Sequence, residues 1–145
     1  MSPVVLDTRM PVARKAHVCD LCRRVIRTGE RYEAQSNVAD GSAYTWKSCA
    51  HCAVYSAVLW ADDRDYLDDG LDWTVAMDYE PGALWKLRLK AQYMRQWTRK
   101  DGALMPVPRL IRCRVFCPRT SWTGDVYTIQ TSRILGVTYA PAVTR

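Results

Sequence analysis

The chain has 145 residues, 48% of them hydrophobic, with 6 Trp and 8 Tyr against one Phe. That composition excludes global disorder and fits one domain, or a small metal module joined to a second small unit. The net charge of +6 is segregated: residues 61–80 carry 1 basic and 8 acidic side chains, and residues 81–145 carry 12 and 2. The basic block could meet phosphates and the acidic block a basic surface, or the two could neutralise one another within the fold. No apolar run approaches the roughly 20 residues that span a bilayer. The N-terminus, Met-Ser-Pro-Val-Val-Leu-Asp-Thr-Arg, lacks a basic segment ahead of an apolar core, so no secretory signal is expected. Six cysteines are then expected as reduced thiols in a cytoplasmic protein.

Residues 1–13, with Pro3 and Pro11, read as an N-terminal arm with a short edge strand at Val4–Leu6. Cys19-Asp-Leu-Cys22 follows, and after 26 intervening residues comes Cys49-Ala-His-Cys52. A Cys-x2-Cys turn is tight enough to aim two thiolates at one point about 2.3 Å away, and two such turns complete a tetrahedron. Between the pairs, Gly29 marks a turn and Arg31–Ala34 starts a strand. Asp40-Gly41 signals a hairpin, and Ala43–Trp46 is a return strand. Val54, Tyr55, Val58 and Leu59 then recur at helical spacing, predicting a helix that runs to about Asp65.

Knuckle, hairpin and helix in that order, with Cys19-x2-Cys22, Ile26, Gly29-Glu30-x-Tyr32, Trp46 and Cys49-x2-Cys52, resemble a treble-clef zinc finger. The likeness covers residues 16–66 and is similar to a four-cysteine module found in small bacteriophage proteins. It implies one structural Zn2+ held by Cys19, Cys22, Cys49 and Cys52. Four thiolates close the coordination sphere, so such a metal would hold the fold and not catalyse. Treble-clef nucleases place a histidine on the hairpin and a ligand on the helix. Residues 30–48 and 53–66 contain no histidine, so a nuclease is not expected. His17 and His51 are read as neighbours of the site, since four thiolates already fill it.

The acidic stretch from Asp62 through Asp63, Asp65, Asp68 and Asp69 to Asp72 ends the first helix at about Gly70. It reads as a solvated loop or as a protein-binding surface. Its spacing does not match a calcium-binding EF-hand. Pro81 opens a second helix through Trp97 with two apolar stripes: Leu84, Leu87, Ala91, Met94, and Trp85, Leu89, Tyr93, Trp97. Two stripes predict a helix packed between two layers. Strands are expected at Leu110–Phe116, Asp125–Thr131 and Ile134–Ala140, forming a meander with Arg112 and Arg114 on its outer face. Cys113 and Cys117, about 13 Å apart along a strand, are read as buried small hydrophobes.

The expected fold is α+β: an arm (1–13), a treble-clef zinc module (14–68), and a helix plus antiparallel β-meander (69–145) packed on it. Phosphate-binding glycine loops, nucleophile elbows and zinc-protease helices are absent from the sequence, so no enzyme or small-molecule substrate is expected. Two binding functions remain. Nucleic acid is preferred, through Arg23, Arg24, Arg27 and Arg31 around the knuckle, extended by Arg88, Arg95, Arg99, Arg112 and Arg114. The alternative is a phage-encoded inhibitor or adaptor that engages a host protein through the acidic stretch and exposed aromatics. No membrane partner is expected.

Overall fold

A computed structural model of the chain describes residues 3–62, 67, 70–120 and 122–139. The fold is mixed α+β with antiparallel sheets. Strand β1 (Val4–Arg9) is longer than the sequence suggests, and it forms one edge of a three-stranded sheet in the order β1-β4-β5. Strands β4 (Tyr32–Ala39) and β5 (Ser42–Cys49) make the expected hairpin. Its two-residue turn holds Asp40 at φ 50° and Gly41 at φ 77°. A primed turn needs two left-handed residues, which is why Asp-Gly sits there. A small ribbon of β2 (His17–Val18) and β3 (Val25–Ile26) brackets the first cysteine pair.

Helix α1 (Ala50–Asp62) begins directly after β5, so Cys49 and Cys52 straddle the strand-to-helix junction. Its buried residues, His51, Cys52, Tyr55, Val58 and Leu59, share one face. The predicted extension to Asp65 lies outside the described residues. A short helix α2 (Trp73–Asp78), not anticipated from the sequence, starts at Asp72, whose carboxylate accepts the Val75 N–H at 2.9 Å. This N-cap explains why an acidic residue closes the loop.

Helix α3 (Leu84–Met94) stops three residues before the predicted end, because Gln96 and Trp97 turn left-handed at φ 53° and 59°. Only one of the two predicted stripes is used for packing. Leu89, Tyr93 and Trp97 are buried and Trp85 is half-buried, whereas Leu84, Leu87 and Met94 are 74%, 46% and 51% exposed. The helix therefore packs through one stripe against α1 and β7 and leaves the other stripe to solvent. Tyr55 and Tyr93 stack at 4.8 Å, and Trp97 meets both edge-on.

The C-terminal region corrects the predicted meander. Two strands, β6 (Pro108–Thr120) and β7 (Val126–Tyr139), pair along their whole length as one antiparallel ribbon. The turn expected at Ser132-Arg133 lies inside β7. Ser132 and Arg133 pair in regular register with Arg114 and Cys113, and the one register shift falls between Ile111 and Arg112, opposite Leu135. Leu110, Ile134 and Val137 pack the base of the ribbon against the core. Beyond it, Ile111, Arg112, Arg114, Arg133 and Leu135 are exposed, so both faces meet solvent there. Cys113 is half-buried and not a core residue, and the Cys117 side chain lies outside those described.

One hydrophobic cluster runs from Ala13 through the four paired cysteines and α1 to Leu89, Tyr93 and Trp97. Among the described residues, no helix is long and apolar enough to cross a membrane.

Candidate functional site

The two Cys-x2-Cys turns converge. The sulfurs of Cys19, Cys22, Cys49 and Cys52 all lie within 4.8 Å of one another, and Cys22 and Cys49 approach to 3.9 Å. Zinc–sulfur bonds of about 2.3 Å at tetrahedral angles place sulfurs about 3.8 Å apart, so the cluster could hold a metal ion. Cys19, Cys49 and Cys52 are fully buried and Cys22 nearly so.

Local geometry aims the sulfurs inward. Arg23 takes φ 66°, and its N–H returns to the Cys19 carbonyl at 2.9 Å, closing the first knuckle. Backbone N–H groups of Cys22 and Cys49 point at the Cys19 sulfur at 3.5 and 3.3 Å, and that of Cys52 at the Cys49 sulfur at 3.4 Å. The Trp97 indole N–H donates to the Cys52 sulfur at 3.2 Å. Donors converging on sulfur favour the thiolate form that binds metal. Hydrogen bonds from Cys19, then Cys22 and Cys52, hold Cys49 far below the ordinary thiol range. Cys22, hydrogen-bonded foremost to Cys19, is pushed well above it, as is Cys52, chiefly by burial. A divalent cation would replace these shared protons and remove the mutual repulsion of the sulfurs.

A buried polar chain braces the cluster. Arg24 makes a two-pronged bond to Glu30 at 3.0 and 3.1 Å and donates to the Val25 carbonyl at 2.9 Å. It also approaches His51 Nδ1 at 3.4 Å, while His51 Nε2 meets the Met105 carbonyl at 2.6 Å. A carbonyl only accepts, so His51 carries its proton on Nε2 and offers Nδ1 to Arg24. Burial opposes the Arg24 charge, but Glu30, by hydrogen bond and charge, and the Cys49 sulfur together more than offset this and hold it above its ordinary range.

That pairing removes Arg24 from the anticipated basic surface: it is 8% exposed and its guanidinium faces inward. Arg23, Arg27, Arg31, Arg88, Arg95, Arg99, Arg112 and Arg114 are all exposed. Arg31 and Arg99 line one cleft, and Arg112 and Arg114 sit two residues apart on one face of β6. Sequence reasoning did not single out Arg109 and Arg133, also exposed on the ribbon, or Trp122 at its turn, 97% exposed. Of the acidic set, Asp62 is engaged by Lys86 and by the Tyr79 hydroxyl at 2.5 Å. Asp63, Asp65, Asp68 and Asp69 lie outside the described residues. Among the described residues, ion pairs join Arg9 to Asp7, Arg24 to Glu30 and Lys86 to Asp62.

No protein-family model matches the chain, and comparison with curated proteins and with solved structures returns no match.

Proposed function

We propose that the chain is a non-enzymatic nucleic-acid-binding protein, stabilised by one structural zinc in a treble-clef module. Zinc is favoured because four buried thiolates suit a soft-tolerant tetrahedral ion and leave no open position for substrate. The observation that carries the binding function is the β6–β7 ribbon. It presents Arg109, Arg112, Arg114 and Arg133 to solvent, and among the described residues none of these has a carboxylate partner. No acidic residue occurs between Asp101 and Asp125, nor from 126 to 145. Lys86 of the basic block pairs with Asp62 of the acidic one, but the ribbon's four arginines have no such partner among the described residues, which supports contact with phosphates.

Fluorescence anisotropy of labelled oligonucleotides against the zinc-loaded protein, titrated at several salt concentrations, tests this. Binding should weaken linearly in log salt. Reversing Arg112→Glu and Arg114→Glu together should lower the slope by about 0.7–0.9 for each phosphate no longer neutralised. No binding at low salt would overturn the reading.

A second reading, a protein partner, is favoured by one observation. Trp73, Met77 and Met94 border a shallow cleft of about 260 Å³ and are 48%, 38% and 51% exposed. An apolar patch of this kind suits a protein ligand. Asp62 supports it less than expected, since Lys86 and Tyr79 already occupy its carboxylate.

A further inference from the structure

Helix α3 leaves one of its stripes to solvent. Leu84, Leu87, Ala91 and Met94 are all exposed, and they recur at spacings of three, four and three residues. At about 100° per residue they form a narrow seam on the side of the helix opposite Leu89 and Tyr93, which are buried. Recurrence of this kind is the pattern of a surface that a second helix covers. Trp73 and Met77 of α2 border the same shallow cleft as Met94, so the patch widens at the C-terminal end of the seam. Apolar side chains gathered in this way mark an interaction site, whereas scattered ones do not.

The flanks of the seam define what covers it. Arg88 and Arg95 lie along one side and Lys90 along the other, at the positions where charged residues of paired helices meet. Helix α3 contains no carboxylate, and none of these three cations joins an ion pair among the described residues. Lys86, the remaining cation of α3, is taken up by Asp62 on another side of the helix. A second copy of the chain laid seam on seam would set like charges opposite one another along both flanks, which is destabilising. Phosphates would satisfy the cations but not the leucines and the methionine. A helix lying in a lipid surface needs a broad apolar face, and this seam is a strip one side chain wide. An amphipathic helix with acidic flanks satisfies both the apolar strip and the cations beside it.

We infer that the outer face of α3 docks an amphipathic helix of a different protein, one whose apolar stripe is flanked by Glu or Asp. The inference rests on the second reading, a protein partner, and gives it a surface and a class of partner; it does not depend on the ribbon.

The test uses the full-length, zinc-loaded protein and two labelled synthetic helical peptides of about three heptads. Both carry leucine at the two apolar positions of each heptad. One has glutamate at the flanking positions and the other lysine, so neither pairs readily with itself. In anisotropy titrations at low salt the glutamate peptide should bind more tightly than the lysine peptide by about tenfold or more. The double variant Leu84→Glu/Leu87→Glu, at exposed positions, should weaken that binding by about 5- to 30-fold, the range of an apolar interface anchor. Arg88→Glu/Arg95→Glu should invert the preference towards the lysine peptide, a change that a damaged fold would not produce. Equal affinity for the two peptides, or binding of neither, would overturn the inference. Binding of the glutamate peptide that survives Leu84→Glu/Leu87→Glu but is lost in Trp73→Ala would also overturn it, and would leave the protein-partner reading standing on the α2 cleft. Two further results would overturn it in favour of another occupant, each if abolished by Leu84→Glu/Leu87→Glu: dimerisation of the protein alone in sedimentation, or binding to phosphatidylglycerol vesicles without binding to either peptide.

Discussion

Arg24 illustrates how one residue type at one position can play opposite roles. Four arginines fall between Cys22 and Tyr32, and three of them point to solvent while Arg24 is buried against Glu30 and His51. Its Nε remains buried without a partner, so the pair is strong in geometry but incompletely satisfied. Removing one member of a buried pair strands the other charge, at a cost of about 3–5 kcal/mol, whereas replacing both by apolar groups is often neutral. Arg24→Met or Glu30→Gln should therefore lower stability in denaturant titration by roughly that amount. The double variant Arg24→Met/Glu30→Met should lose far less than the two single losses combined. Strict additivity would show that the pair contributes nothing as a pair.

At the scale of elements, the decisive device is the reversal after α3. Gln96 and Trp97 hold left-handed backbones that ordinary residues avoid by about 1–2 kcal/mol each. The reversal drives the Trp97 ring, 0% exposed, under α1 and its N–H onto the Cys52 sulfur. Gln96 adds a bond from its side-chain amide to the Cys22 carbonyl at 2.8 Å, and Tyr93 one from its hydroxyl to the Leu21 carbonyl at 2.7 Å. A helix remote in sequence thus clamps both ends of the cysteine cluster. Trp97→Phe keeps an aromatic ring but deletes the N–H···S bond and leaves a void. It should destabilise the protein by about 2–3 kcal/mol and release bound metal to a chromophoric chelator faster than wild type. Unchanged release would show that the indole bond does not act on the metal site.

For the whole molecule, the cysteine cluster lies inside the main hydrophobic cluster and not beside it. Zinc bound to four thiolates contributes about 10–16 kcal/mol in comparable peptides, as much as the whole net stability of a typical domain, about 5–15 kcal/mol. Metal analysis of purified protein should find one zinc per chain. A strong chelator should then abolish the aromatic circular-dichroism signal and the helical signal in one transition, since Tyr55 of α1, Tyr93 of α3 and Trp97 pack on one another and Trp97 donates to the Cys52 sulfur. Iron in place of zinc, or folding unaltered by the chelator, would refute the assignment.

How much of this was legible beforehand follows from range in sequence. The cysteine pairs, the Asp40-Gly41 hairpin and α1 rest on local rules of spacing and turn chemistry, and each is found where those rules put it. Helix α2 was missed because six residues after an acidic loop carry too little periodicity, although Asp72 was a readable cap. The three-strand meander became a two-strand ribbon because Ser132-Arg133, polar residues that read as a turn, instead pair in register with Arg114 and Cys113 inside one long strand. Which stripe of α3 is buried, which arginine turns inward and that Glu33, Gln35 and Asn37 share a cleft with Trp60 were decided only by tertiary structure. Local spacing determines what a side chain can do. Whether it faces core, cleft or solvent depends on segments tens of residues away, whose packing no local pattern encodes.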